Sequence, residues 1–251
     1  AMQLGSSGAG NHFVEFGEME ILEENSLNIP AGKYMALVSH SGSRGLGAAV
    51  AQYYTRIAQE VCKLPKGSQH LAWLDLDSGD GMEYWLAMNL AGDYAKACHD
   101  VIHSKIAKRL NLKKLITVEN HHNFAWKEKQ ENGETLIVHR KGSTPAKEGE
   151  LGFIPGSMSH SGYLVSGKGK QDALCSASHG AGRKLSRSKA KSSLTRSDMK
   201  KELKQKRVTL IGGAVDESPF AYKNIEEVIG AQKELIKVEG QFNPRIVRMA
   251  K

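Results

Sequence analysis

Residues 175–187, CSASHGAGRKLSR, set the pattern for the whole chain. An apolar approach through Ala173 and Leu174 delivers His179 onto Gly180-Ala181-Gly182, and Arg183, Lys184 and Arg187 follow at once. Two glycines with one residue between them let the backbone turn tightly and approach a ligand, because no Cβ stands in the way. Beyond them the chain reads as the start of a helix whose first N–H groups point at an anion. An imidazole beside such a cradle, with guanidinium groups behind it, suits phosphate chemistry as acid, base or nucleophile. The same residues also fit a plain glycine turn before a basic helix, with His179 merely exposed.

Outward from that stretch, short strands and helices alternate. Residues 12–16 carry aromatic and β-branched side chains and follow a glycine-rich turn. They read as a strand with Phe13 and Glu15 on one face and His12 and Val14 on the other. Pro30-Ala31-Gly32 marks a turn before a second strand at 34–39, which runs into His40-Ser41-Gly42-Ser43-Arg44-Gly45. A strand, a Ser/Gly loop and then a helix, here 47–62, is an anion-binding arrangement. It lacks the lysine and spacing of a P-loop and does not match the dinucleotide fingerprint. After a loop over 65–80, a long helix fits 81–110, because Tyr84, Met88, Ala91, Ala95, Cys98, Ile102 and Ile106 recur every three or four places. His99 and His103 stand at i, i+4 on it and read as a solvated face, since no third metal ligand is near in sequence.

Residues 115–119 read as a strand ending in Asn120-His121-His122-Asn123. Residues 124–129 and 135–140 flank Asn132-Gly133, a hairpin signal, and His139-Arg140-Lys141-Gly142 closes that hairpin with positive charge. Residues 153–161 form another glycine-serine turn. Residues 183–207 hold eleven Lys/Arg against two acids, with a helix near 196–206, and read as a solvated face or a nucleic-acid contact. A loop at 213–219, a helix at 224–237 and a final strand at 245–250 complete the chain, with no internal repeat and no clear linker. The fold class is mixed α+β. His12, His40 and His122 each fall at a strand end in a loop with Gly, Asn or Ser, where different strands commonly converge on a site. Neutral imidazole is a good ligand for divalent transition metals, and ligand softness alone favours zinc over manganese.

With 251 residues, 40% hydrophobic and 25% charged, the composition is that of an ordinary globular protein. No apolar run approaches the roughly 20 residues needed to span a bilayer, so no membrane partner is expected. There is no basic-then-apolar signal pattern, and Ala1-Met2 reads like a processed or trimmed end. Cys62, Cys98 and Cys175 lack paired spacing, which argues against a secreted disulfide scaffold and for a reducing compartment, the cytoplasm. The net charge of +8 favours a polyanionic partner.

Nine pieces of the chain, in order, give it a specific resemblance to the RtcB family of RNA-splicing and RNA-repair ligases. They are GNHFVE at 10–15, HSGSRG at 40–45, HHN at 121–123, HRKG at 139–142, PGSM at 155–158, SHGAGR at 178–183, Ser186-Arg187, AYK at 221–223, and the terminal Lys251. The resemblance implies a single catalytic core over residues 1–251 that lacks its beginning, since the family's upstream Asp-x-x-Cys metal-binding segment is not in this sequence. It implies that His179 is the nucleophile that takes GMP from GTP. It further implies two Mn²⁺ ions, one held by His40 and His122 and the second bound with the help of His12. Asn11, Phe13, Glu15, Asn123, Ser157, Ala181, Gly182, Tyr222 and Lys251 match positions that hold the guanylate. Arg44, Arg140 and Arg187 fall in basic surroundings expected to meet RNA phosphates. The implied reaction joins a 2′,3′-cyclic phosphate or 3′-phosphate end to a 5′-hydroxyl end of tRNA halves or other cleaved RNA. The chain departs from the family at Gly162, usually a serine that contacts the nucleotide, and it lacks the final glycine after Lys251. Two rival readings are a cyclic-phosphate metallohydrolase and a catalytically impaired RNA-binding fragment.

Overall fold

The computed structural model describes residues 3–130 and 132–249. The fold is mixed α+β, and its contacts divide it into two compact units, one of residues 1–12 and 39–113, the other of 13–38 and 114–251.

The second unit is built on one long strand, β10 (Ile236–Met249). Along one edge β10 pairs antiparallel with β1 (Phe13–Ile21), which in turn pairs with β2 (Gly32–His40). Its other edge is shared in succession by β7 (Gly162–Gly167), antiparallel and backed by β6 (Leu151–Ile154), and by β9 (Thr209–Ile211), parallel. Pro244 has no N–H to give the ladder, and the β1–β10 register slips there, between Phe16 and Gly17. Only glycine fits at 17, because a Cβ would lie 2.3 Å from the Asn243 carbonyl oxygen. A second slip, between Val238 and Gly240, turns Glu239 inward, where it is fully buried. Its carboxylate accepts from the Ser26 N–H (2.8 Å), Ser26 Oγ (2.7 Å) and Ser166 Oγ (2.5 Å). Burial alone would raise its pKa, but these donors and Lys237 outweigh that and hold it below the ordinary carboxylate value.

Two small ladders stand beside this sheet: the hairpin of β3 (Asn123–Lys129) with β4 (Thr135–Lys141), and the pair of β5 (Ser143–Pro145) with β8 (Ser176–Ser178). Helices α3 (Arg187–Ser193), α4 (Arg196–Gln205) and α5 (Ile225–Gly230) complete the unit. Three apolar clusters form its core, and one of them, Ala146, Ile154, Val165, Ala177, Ala181, Ile225 and Ile236, includes residues on both sides of His179.

The first unit is dominated by α1 (Arg44–Val61) and α2 (Gly79–Leu110). Ser78 caps α2 by accepting from the Gly81 N–H at 3.1 Å, and Asn111 in the left-handed conformation ends it behind Lys108 and Arg109. The inward stripe is the one its periodicity predicts, with Ala91, Ala95, Cys98 and Ile102 buried.

Three expectations need correction. Residues 115–119 form no strand; the chain is irregular up to β3. The helix expected at 224–237 is only α5, which stops at Gly230, and β-branched Ile236 and Val238 already belong to β10. The helix expected directly after Gly182 begins only at Arg187, because the Lys184 and Leu185 N–H groups both donate to the Ala221 carbonyl.

Candidate functional site

In the second unit, His179 follows β8, whose pairing places Ser178 opposite Ser143. Its backbone is held by neighbours on every side. The Ser178 N–H donates to Gln232 Oε1 at 2.9 Å, and Ser178 Oγ donates to the Gly180 carbonyl at 2.7 Å. The Ala181 N–H donates to the Pro155 carbonyl at 3.1 Å and the Lys223 N–H to that of Gly182 at 2.9 Å. Gly182, at φ 71°, needs the left-handed region that glycine adopts freely.

The His179 ring stacks on His122, with centroids 4.8 Å apart and planes 17° from parallel. Gly142 connects the two: its N–H donates to the His122 carbonyl, its carbonyl accepts from the His179 N–H, and a Cβ there would stand 3.8 Å from the His179 ring. His179 Nδ1 is buried and has no hydrogen-bond partner among the described residues. An orphaned imidazole nitrogen in a glycine-lined loop is a costly feature to keep without a ligand.

Beyond the loop, Arg183 lies over the Tyr222 ring at 5.2 Å, donates to the Asp216 carbonyl at 2.6 Å and pairs with Glu217 at 3.4 Å. The Tyr222 hydroxyl donates to Glu217; burial first, then that carboxylate, raises its pKa, so it stays protonated. Arg187 bridges Asp216 (3.0 Å) and Glu217 (2.5 Å) with its side chain about half exposed. Sequence reading gave no signal for Gln232 or for this acidic pair, since neither lies in a motif.

Phe13 and Glu15 share a face of β1, as alternation predicts, opposite buried Met249 and Val247. Burial alone pushes the Glu15 carboxyl up to about 8. Asn123 opens β3 and is exposed. Ser157 Oγ is 2.7 Å from His160 Nδ1, a partner that sequence reading passed over although it sits in the same glycine-serine turn. Burial, more than the surrounding charges, lowers the pKa of His160, and beside it a cavity of about 220 Å³ opens between Ser161, Lys206, Glu226, Asn243 and Arg245. Gly162 has a steric reason: a Cβ there would lie 2.4 Å from the Phe153 ring. The hydroxyl of Ser161, next to it, donates to Asn243 Oδ1 and accepts from Gln241. Lys251 lies outside the described residues.

Arg140 corrects an expectation. It is 1% exposed, its guanidinium is bidentate to Glu128 at 2.9 and 3.0 Å, and it also donates to Ser176 Oγ and the Leu174 carbonyl. Four of its five N–H groups are taken and the side chain is buried, so it is not presented to a phosphate.

In the first unit, His12 and His40 are neighbours, with ring centroids 5.7 Å apart, and Asn11 Nδ2 lies 3.5 Å from His40 Nε2. Arg44, at φ 60°, points NH1 at His12 Nδ1 (3.3 Å), and its Nε is buried with no partner among the described residues. Gly8 makes this arrangement possible, since a Cβ there would sit 1.5 Å from Arg44 NH1 and 2.3 Å from His12 Nδ1. Burial, then Arg44 and His99, lower the His12 pKa against a hydrogen bond to the Ser7 backbone that raises it. A neutral imidazole beside a second one fits a divalent transition metal. Among the described residues no group of three His, Cys, Asp or Glu side chains is arranged to hold an ion, and His122 belongs to the other unit. His99 and His103 are not the solvated face that their spacing suggests. They are half-buried, and both reach Ser39 Oγ, at 2.6 and 2.8 Å.

Comparison with known proteins gives these observations a context. A family model described as tRNA-splicing ligase RtcB matches residues 1–250. The RNA-splicing ligase RtcB of Escherichia coli (strain K12) is 33% identical over 94% of this chain and 58% of its own length. The tRNA-splicing ligase RtcB of Nanoarchaeum equitans is 33% identical over 96% of this chain and 58% of its own, and that of Methanococcus maripaludis 32% over 90% and 55%. The chain thus spans little more than half the length of the relatives it matches.

Proposed function

The chain belongs to the RtcB family, and from that premise we propose that residues 1–251 form a ligase core that joins RNA 2′,3′-cyclic phosphate or 3′-phosphate ends to 5′-hydroxyl ends at the expense of GTP. The observation that carries this reading is His179: stacked on His122, fixed by glycines, with Nδ1 buried and unpartnered. With Nδ1 enclosed, Nε2 is the nitrogen left to attack.

In the reaction we infer, Nε2 attacks the α-phosphorus of GTP; a P–N bond forms, the bond to pyrophosphate breaks, and GMP is carried on the histidine. A cyclic phosphate end, opened by water to a 3′-phosphate, then attacks that phosphorus through an oxygen, which breaks the P–N bond and leaves the RNA end capped with GMP. The 5′-hydroxyl of the partner strand finally attacks the RNA phosphate and releases GMP. A covalent intermediate divides one difficult transfer into easier ones.

Mn²⁺, with His12 and His40 of the first unit as imidazole ligands, would polarise phosphoryl oxygens when bound. Glu15 would accept from the N–H edge of guanine, which adenine lacks. Tyr222, kept protonated, would donate beside it, and Asn11, Phe13, Asn123, Ser157, Ala181, Gly182 and Lys251 would complete the guanylate site. Arg44 and Arg187 would meet RNA phosphates. Cleaved RNA such as tRNA halves in the reducing cytoplasm is the expected substrate. No described helix is long and apolar enough to cross a membrane.

Incubation with α-labelled GTP and Mn²⁺, wild type beside His179→Ala, tests this. Label on the wild type alone, stable to alkali and lost in acid, is expected of a histidine phosphoramidate. The lack of a three-ligand group among the described residues favours a second reading, an RNA-binding chain that transfers no guanylate. RNA binding with no label on either protein would select it.

A further inference from the structure

Gln232 lies outside every sequence motif, in the turn that joins α5 to β10, and is 5% exposed. Its base is rigid. The Gln232 N–H donates to the Ile229 carbonyl at 3.2 Å, and its own carbonyl accepts from the Leu235 N–H at 2.9 Å and the Ile236 N–H at 3.2 Å. Ile236 belongs to the apolar cluster that holds Ala177 and Ala181, and Ile229 and Leu235 pack against it. The side chain uses half of its carboxamide: Oε1 accepts from the Ser178 N–H at 2.9 Å, while Nε2 is buried without a partner among the described residues. A backbone N–H only donates, so the amide cannot turn over to relieve Nε2 without setting two donors face to face. A buried donor left unpaired costs as much as a hydrogen bond contributes, or more. An apolar side chain of similar length would avoid that cost and leave the Ser178 N–H unpaired instead. The fold thus puts the orphan on the side chain and keeps the main chain of β8 tied.

That tie falls on the residue before His179. β8 pairs with β5 along one edge, with Ser178 opposite Ser143, and the His179 N–H donates to the Gly142 carbonyl on that side at 3.4 Å. Successive N–H groups of a strand point to opposite edges, so the Ser178 N–H faces the edge that β5 leaves open. There Gln232 supplies the acceptor that a further strand would. Two consecutive N–H groups are held from opposite sides, one by main chain and one by Gln232. So held, the chain cannot twist about the strand axis, a motion that would swing the His179 ring off His122, on which it stacks with centroids 4.8 Å apart.

We propose that Gln232 is a positioning residue for His179: by holding the Ser178 N–H on the open edge of β8, its Oε1 keeps the imidazole stacked on His122 and Nε2 in line with the phosphorus it attacks. Gln232 touches no reacting atom and acts through the backbone alone. The proposal rests on the ligase reading above and deepens it. Small errors in the placement of a nucleophile are expensive in rate while they leave the binding of the substrate intact.

The test compares wild type with Gln232→Met, which removes the acceptor at similar length, and Gln232→Glu, which keeps an oxygen for the Ser178 N–H. Without nucleotide, NMR should show the Ser178 amide exchanging about tenfold faster in Gln232→Met, the size of one lost hydrogen bond, and near the wild-type rate in Gln232→Glu. With Mn²⁺ and α-labelled GTP in a single turnover, Gln232→Met should lower the maximal rate of labelling by roughly 10- to 100-fold and leave the half-saturating GTP concentration unchanged. Gln232→Glu should return most of that rate. Urea midpoints show which variants are folded, and Gln232→Asn, a methylene too short to reach Ser178, replaces Gln232→Met if the latter does not fold. A folded variant without the acceptor that labels at the wild-type rate, or whose Ser178 amide is as protected as in wild type, overturns the proposal and leaves the ligase reading standing. So does a Gln232→Glu protein no faster than Gln232→Met, or a variant that raises the half-saturating GTP concentration at an unchanged maximal rate. A wild type that takes no label overturns both.

Discussion

Glu15 is a carboxyl group that the fold keeps out of water with no charged partner among the described residues to favour its ionised form. Its pKa rises from 4.5 to about 8 for that reason alone. The native state therefore holds a proton between these values that the unfolded chain has released. The stability associated with the protonated acid is full below about 4.5 and is lost as pH rises through about 8. At about 1.4 kcal/mol per unit, the loss is on the order of 5 kcal/mol. Urea unfolding at pH 5, 7 and 9 should show wild-type stability falling across this range and Glu15→Gln nearly flat; parallel curves would refute it. Gly162 makes a second residue-scale case. Restoring the family's serine by Gly162→Ser drives a Cβ into the Phe153 ring and should cost about 1–3 kcal/mol. Phe153→Ala in the same chain should recover part of that loss, and a Gly162→Ser protein as stable as wild type would mean that the ring yields freely.

Among the elements, the β3–β4 hairpin contains a buried ion pair. Arg140 is buried and positive, and Glu128 is the carboxylate that compensates it, with Lys147 3.4 Å from the same carboxylate. Burial would raise the Glu128 pKa, but hydrogen bonds from Arg140 and its charge win and keep it ionised. Glu128→Ala strands a guanidinium inside the protein and should cost about 3–5 kcal/mol; a loss under 1 kcal/mol in chemical unfolding would show that water reaches the arginine. The hairpin itself was legible, since Asn132-Gly133 between alternating segments marks the turn; the register was not, because the pairing of Lys129 with Thr135 needs a loop longer than the two residues of an Asn-Gly turn. The role of Arg140 was not, because the face on which a strand residue falls is visible in sequence but what covers that face is not. The same limit explains His99 and His103. Their i, i+4 spacing was plain, yet the Ser39 hydroxyl that meets them comes from the end of another element. Strand 115–119 failed for the opposite reason: a short β-branched run there finds no partner strand.

At the scale of the molecule, the order of the motifs was enough to identify the family, while the pairing of His122 with His179 through Gly142 depends on contacts between segments far apart in sequence. The distribution of the core was equally hidden. All three buried apolar clusters lie in the unit built on β10. The unit of α1 and α2 buries mainly small side chains, Ala58, Ala91, Ala95 and Cys98 with Ile102, while Leu71, Trp73, Leu86 and Leu90 are each more than 60% exposed. Apolar burial is the main source of local stability, so the two units should not open together. Amide hydrogen exchange under native conditions should therefore separate them. Amides of β10, bonded to strands on both edges and backed by those clusters, should exchange only through global unfolding. Those of α1 should exchange through an opening of lower free energy and respond weakly to urea, since a partial opening exposes less surface. If α1 amides match β10 in both protection and urea dependence, the chain unfolds as one cooperative body, and the small-residue packing of α1 on α2 is stronger than its buried area implies.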